Sequence, residues 1–425
     1  MKQKKMLTGK FKLLFGLILL IAITGLDAID NSVITNDHVK YVEGLFYLDH
    51  SPVRVEITDG KISGIIRMEE LSENRGNVYI GPGLIDTQVN GYLGVSFVDM
   101  GEELTSGGIT KITEAFWEAG ATSYFPTLTT NDQVIYKKNF ALLAQAKKDP
   151  GSRGSIAGFH LEGPYISPVD GFRGAHPLKY IRKPDWDEFM EMYNASEENI
   201  RVVTLAPEIE GAMEFISKSR ERGIVVGLGH HDGNAQQITE AVDRGAQIAT
   251  HIGNGLANTI NRHNNPLWPQ LSDDRMMISI IGDGFHLNPD QIRVFQRSKG
   301  LDKTIMVSDV SALGGQPPGK YLNVVGDTLE VTPEGAVIYP DLEILAGSAS
   351  PLVDGIGHVM KVTGCSLAEV IHMATRNPAN LYGLDDRGEI KVGKRADLIL
   401  FTMDEFEMDI KKTIVAGEVM FESAD

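Results

Sequence analysis

Along most of the chain, short β-branched apolar runs that end in a polar residue alternate with stretches whose apolar positions recur at helical spacing. Ser155 to Leu161, Ile224 to Leu228, Gln247 to Thr250 and Thr304 to Ser308 are runs of the first kind. Gly83 to Ile85, Ser123 to Pro126, Arg201 to Leu205 and Met277 to Ile281 fit the same pattern. Near-continuous apolar character is what strands buried on both faces of a parallel sheet require. Between them lie amphipathic stretches such as Gly233 to Arg244, where Ile238, Ala241 and Val242 share a face. Strand and helix patterns alternating over this length predict an α/β fold, a (β/α)8 TIM-like barrel over residues 81–384.

The flanks have a different rhythm. From about Val33 to Val78 apolar and polar residues alternate (Val53, Val55, Ile57) around the turn Asp59-Gly60, as half-exposed strands do. The tail repeats that style in Gly388-Glu389-Ile390, in Ala396 to Leu400, and in Thr413-Ile414-Val415 with the turn Ala416-Gly417. The first and last strands of a barrel are neighbours, so residues 30–80 and 385–425 are expected to meet in one small β-sandwich domain.

Ahead of these, Lys2, Lys4, Lys5, Lys10 and Lys12 precede the apolar run Leu13 to Gly25, and small Ala28 follows. Basic, then apolar, then small is the layout of a secretory signal, and the run is short for a hydrocarbon core of about 30 Å. Residues 1–29 are therefore expected to be a signal peptide or N-terminal anchor of an exported, periplasmic or extracytoplasmic protein. Membrane contact is expected only through this segment if it stays uncleaved.

Composition narrows the picture little further. A formal net charge of -17 disfavours nucleic acid as a partner. The single cysteine, Cys365, excludes an internal disulfide framework and a cysteine metal cluster.

The chemistry sits at the ends of the apolar runs. Glu162, His230, His251 and Asp309 each close a different one. One Glu and two His form a ligand set for one divalent metal, and Asp309 adds a carboxylate to handle protons, so the chain reads as a metal-assisted hydrolase. Singly these residues say little: a strand-end His is ordinarily structural, Glu162 would read as a salt-bridged barrel carboxylate, and Asp309 as a helix cap. The combination carries the argument. His160 shares a strand face with Glu162 and reads either as its support or as a substrate contact, and His231 reads as structural.

The stretches Gly81-Pro82-Gly83-Leu84-Ile85-Asp86, His160-Leu161-Glu162-Gly163-Pro164, Leu205-Ala206-Pro207-Glu208, Gly229-His230, Thr250-His251, Asp283-Gly284-Phe285-His286, Ser308-Asp309 and Gly393 to Leu398 together resemble the amidohydrolase superfamily. Within it the chain is similar to the N-acetylglucosamine-6-phosphate deacetylase branch. The resemblance implies Glu162, His230 and His251 as metal ligands with one position open for water, and Asp309 as the catalytic carboxylate. Many amidohydrolases carry a His-x-His pair at the end of strand one, where this chain has Gln88-Val89-Asn90. Amides are poor ligands for zinc-like ions, so one divalent metal is expected, zinc by preference, with iron, cobalt or manganese compatible. Gln88 and Asn90 are then expected to orient the site through hydrogen bonds.

His176 and His286 resemble positions that hold the sugar or its phosphate, and Asn254 and Arg262 keep the branch's spacing after His251. That makes Arg262 a candidate phosphate-binding arginine, although a plain surface arginine reads the same. The resemblance also implies a small-molecule amino sugar as partner, and a homodimer in which His286 or Arg262 reaches a neighbouring pocket. The expected reaction is removal of acetate from N-acetylglucosamine 6-phosphate, a carbon–nitrogen bond outside peptides. A phosphosugar implies the cytoplasm, whereas the leader argues for export. The alternatives are an exported deacetylase of an unphosphorylated N-acyl amino sugar, or a hydrolase of a cyclic amide or N-acyl amino acid. A non-catalytic sugar-binding barrel would have no use for the ligand set beside Asp309.

Overall fold

The computed structural model describes residues 40–72, 77–98, 103–322, 328–342 and 344–424 of the chain. The leader expected at 1–29 lies outside them. No helix among the described residues is long and apolar enough to cross a membrane.

Eight parallel strands form the barrel: β1 (Leu84–Val89), β2 (Ala121–Thr129), β3 (Phe159–Glu162), β4 (Ile200–Leu205), β5 (Val225–Leu228), β6 (Ala246–Ala249), β7 (Met277–Ile281) and β8 (Thr304–Val307). Each of the runs read from the sequence carries one of them. Sequential strands are spatial neighbours throughout. Beyond their ends the ring is joined by a parallel bridge between Val89 and Val310 and by Asp309 N donating to Gln88 O at 3.0 Å. Buried Asp86 reinforces that seam, accepting from Ser308 N at 3.1 Å.

Helices connect the strands. Ala235–Arg244 shows why the local sequence suffices: Asn234 and Gln237 form a reciprocal capping box, Gly245 ends the helix, and Ile238, Ala241 and Val242 face inward. Inside the barrel, Phe125, Val202, Val225, Ile248, Ile305 and Tyr382 pack as one apolar cluster. Toward the C-terminal ends the filling turns polar. His160 Nε2 and Thr204 Oγ1 lie 2.8 Å apart, as do Thr204 Oγ1 and Thr250 Oγ1.

Both chain ends build a separate seven-stranded sheet. Tyr79–Pro82 pairs in parallel with Tyr41–Phe46 on one side and antiparallel with Leu398–Asp404 on the other, which joins head to tail. Both expected hairpin turns are present, with positive φ at Asp59 and Gly60 and at Ala416 and Gly417. One reading differs: Gly388-Glu389-Ile390 is irregular rather than a strand. Gly388 has φ +85, and a β-carbon there would meet Ala379 Cβ at 2.6 Å. The segment is a tight link against a helix.

A further antiparallel sheet follows β8, made of Gly319–Leu322, Thr328–Val331, Val337–Tyr339 and Ile344–Leu345. It lies within the span read as barrel alone. Its strands are short, and buried alternation is confined to Leu329 and Val331 on one and Val337 and Tyr339 on the next.

Candidate active site

Glu162 is the last residue of β3, while His230, His251 and Asp309 each stand two residues beyond β5, β6 and β8. These last three share a backbone device, with φ of 52°, 32° and 51° in the left-handed region. Non-glycine residues adopt it at a cost on the order of 1–2 kcal/mol each, and the turn swings each side chain over the barrel mouth. The local conformation thus spends stability to aim the functional groups.

They converge. Glu162 Oε1 lies 2.8 Å from His251 Nε2 and 3.5 Å from His230 Nε2, and the two Nε2 atoms are 3.1 Å apart. A four-coordinate ion with bonds of about 2.0–2.1 Å places its ligand atoms roughly 3.3 Å from one another, so the spacing fits one such ion. His230 Nδ1 donates to Phe172 O at 3.0 Å, which fixes the tautomer with the Nε2 lone pair toward the other two ligands. Two glycines let loops close over that ring: a β-carbon on Gly255 would stand 2.8 Å from His230 Nδ1, and one on Gly174 3.1 Å from His230 Cε1. Burial alone would raise the Glu162 carboxyl, but the His230 and His251 imidazoles beside it hold it well below the usual carboxylate range.

The amides at the end of β1 support carboxylates rather than replace ligands. Gln88 Nε2 donates to Glu162 Oε1 at 2.9 Å, and Asn90 Nδ2 donates to Asp309 Oδ1 at 2.7 Å. Asp309 itself is pushed up to about 6, mainly by burial and then by the nearby Glu162 charge. A carboxyl poised there can both accept and return a proton near neutral pH.

A cavity of about 440 Å³ opens over these residues. His176, His286 and Asn254 line it, so those sequence-derived positions come together with the ligand set. His176 packs edge-on against the His230 ring at 4.3 Å, and its Nδ1 lies 2.7 Å from Thr130 Oγ1. Burial pulls His176 down to about 3, which keeps it neutral. His286 Nδ1 donates to Asp283 Oδ2 at 2.7 Å. His160 sits beneath the floor with Thr204, held down at about 4 by burial, and does not line the cavity. His231 is buried outside the cavity, accepting from Gly233 N.

Arg262 is not brought in. Its side chain is exposed, and no lysine or arginine lines the cavity among the described residues. The Arg262 carbonyl takes the Trp268 indole N–H at 2.9 Å, and Asn261, His263 and Asn264 beside it are exposed as well. Thr130 and Asn131, just past β2, line the cavity and were missed; a polar pair closing an apolar run was the available signal.

The amidohydrolase family pattern matches residues 79–420 of the chain. The chain belongs to the amidohydrolase family. A relative from Bos taurus, "N-acetylglucosamine-6-phosphate deacetylase", is 31% identical over 84% of this chain and 87% of its own length. An Escherichia coli O157:H7 relative, "N-acetylgalactosamine-6-phosphate deacetylase", is 30% identical over 83% of this chain and 91% of its own. The solved N-acetylglucosamine-6-phosphate deacetylase of Thermotoga maritima superposes with a TM-score of 0.79 at 28% identity, covering 90% of this chain and 100% of that one. As an amidohydrolase the chain is a hydrolase of carbon–nitrogen bonds, and its site matches the family's dependence on a divalent ion.

Proposed function

We propose that the chain removes acetate from an N-acetylhexosamine 6-phosphate, N-acetylglucosamine 6-phosphate first among them. One observation carries the reading: three buried ligand atoms converge on a point at the barrel mouth beside a carboxylate that Asn90 holds in place. The names of the relatives support the substrate class.

A divalent ion held by Glu162, His230 and His251, zinc by preference, supplies water acidification and carbonyl polarisation when bound. Asp309 takes the proton from the attacking water and hands it to the departing nitrogen, because an amine leaves only once protonated. Asn90 engages Oδ1 of Asp309, which leaves Oδ2 for that transfer. Gln88 keeps Glu162 oriented from the other side. His176, neutral and with Nδ1 turned to Thr130, keeps Nε2 for the substrate. His286 does the same with Nδ1 on Asp283, and Asn254 adds an amide to that polar side.

A phosphate group needs more positive charge than this cavity offers. Arg262 is exposed and outside its own chain's cavity, so its phosphate role requires a second copy of the chain, in keeping with a homodimer. The N-terminal segment is proposed as a signal or anchor from residue order alone. The intact mass of the chain isolated from cells reports whether it is cleaved.

Acetate release from N-acetylglucosamine 6-phosphate, its galactosamine epimer and unphosphorylated N-acetylglucosamine tests the proposal. We expect the phosphorylated sugars to lead by about a hundredfold in kcat/KM, with Arg262→Ala erasing most of that lead. Equal rates with and without phosphate would remove the phosphate from the reading. A metal-replete enzyme inert toward all three would end it.

A further inference from the structure

The cavity has two chemically distinct sides. The loops after β2, β3, β6 and β7 present Thr130, Asn131, His176, Asn254, Asn258 and His286. The loop after β8 and the sheet that follows it add Leu313, Leu329, Tyr339, Ile344 and Leu345 to the lining, the last four from that sheet. That second side is a built wall. Leu313, Leu329 and Tyr339 pack with Val331 and Val337 in a cluster of their own.

The segment leaving the wall is also tied to the backbone of Asp309. Ser348 N donates to Asp309 O at 2.9 Å, and Val310 bridges Ser348 in parallel. A β-carbon on Gly347 would stand 3.0 Å from Asp309 O, so the strand leaving the wall passes in contact with Asp309. Asp309 and the aliphatic residues of the wall line the same cavity, so a molecule bound there meets both.

An N-acylated hexosamine carries hydroxyls around its ring, and its acyl chain is its one extended apolar part. A hydroxyl pressed against aliphatic carbon loses water without a replacement, so the ring belongs on the polar side and the chain on the other. Ile344 and Leu345 are half-buried and line the cavity with Leu313, Leu329 and Tyr339, so the apolar lining spans more residues than a single methyl touches. We propose that Leu313, Leu329, Tyr339, Ile344 and Leu345 form an acyl subsite that selects an apolar N-acyl chain and accepts one longer than acetyl. The inference rests on the deacetylase reading of function.

N-propionyl- and N-glycolyl-glucosamine 6-phosphate separate the alternatives, because the two acyl groups match in size and differ by a methyl against a hydroxyl. The expected kcat/KM for propionyl exceeds that for glycolyl by about tenfold or more, and stays within about tenfold of that for acetyl. In Ile344→Asn and Leu345→Asn, both at half-buried positions, the propionyl-to-glycolyl ratio is expected to fall toward one while bound metal is unchanged. A wild-type ratio at or below one, loss of propionyl cleavage where acetyl is cleaved, or a ratio unmoved in both variants overturns the subsite. If the acetyl substrate itself is not cleaved, the deacetylase reading has failed instead.

Discussion

The two ends of the barrel handle their polar groups in opposite ways. At the N-terminal end, Arg387 donates to Ser123 Oγ at 2.9 Å and to Gly154 O at 3.1 Å. Beside it Arg395 pairs with Asp397 at 2.8 Å and reaches Arg153 O, while Asp397 also takes Ala416 N–H. Charges there are matched across the barrel and the outer sheet, and they close the bottom. At the C-terminal end, three residues sit in left-handed turns, Asp309 is held near 6, and Glu162 faces two imidazoles at distances suited to an ion. One end is arranged for stability and the other departs from it, which is the division of labour expected of this architecture.

That contrast can be broken experimentally, most severely at the top. Asp309→Asn should lower the rate of acetate release about a thousandfold while metal content, read by elemental analysis, stays at the wild-type level. At the bottom, Arg395→Ala leaves buried Asp397 without its cation and should destabilise the chain by about 3 kcal/mol in denaturant titration. The same variant should keep wild-type kcat per folded molecule. If kcat fell with stability, the two ends would not be separable.

Smaller changes sharpen the comparison. Gly255→Ala places a methyl against His230 at a position with φ +61, and should weaken metal binding by about 10–100-fold in a competition titration. Asp86, buried at the seam between β1 and β8, is pushed up to about 7, chiefly by burial. The folded chain then keeps a proton that the unfolded chain has released from about pH 4 upward. The stability this gives is complete below pH 4 and is lost as pH rises through about 7, with a slope of up to about 1.4 kcal/mol per pH unit. Asp86→Asn should flatten that slope in unfolding measurements across the interval.

The barrel strands were legible because burial on both faces writes an unbroken apolar run, and the ligand set was legible because each run ends in a polar residue that its strand does not need. Other features left weaker marks. The sheet over the mouth is built from strands of two to four residues, of which Gly319–Leu322 is largely exposed, so periodicity had little to act on. The exposure of Arg262 and its neighbours at 261–264 is not encoded by their spacing after His251. Nor do residue types announce the left-handed backbone at His230, His251 and Asp309, since histidine and aspartate are not glycine. Gly388 misled because a strand-like composition surrounds a position whose backbone only a tight link explains.

The pairing of Tyr79–Pro82 with Leu398–Asp404 bears on how the chain is made. On the ribosome, the early hairpins can assemble at once, but the inner strand at 79–82 keeps one flank open until more than three hundred further residues have emerged. During that interval an unpaired sheet edge is available to other chains. Truncations near residue 400 should therefore aggregate during expression although every catalytic side chain has already been synthesised.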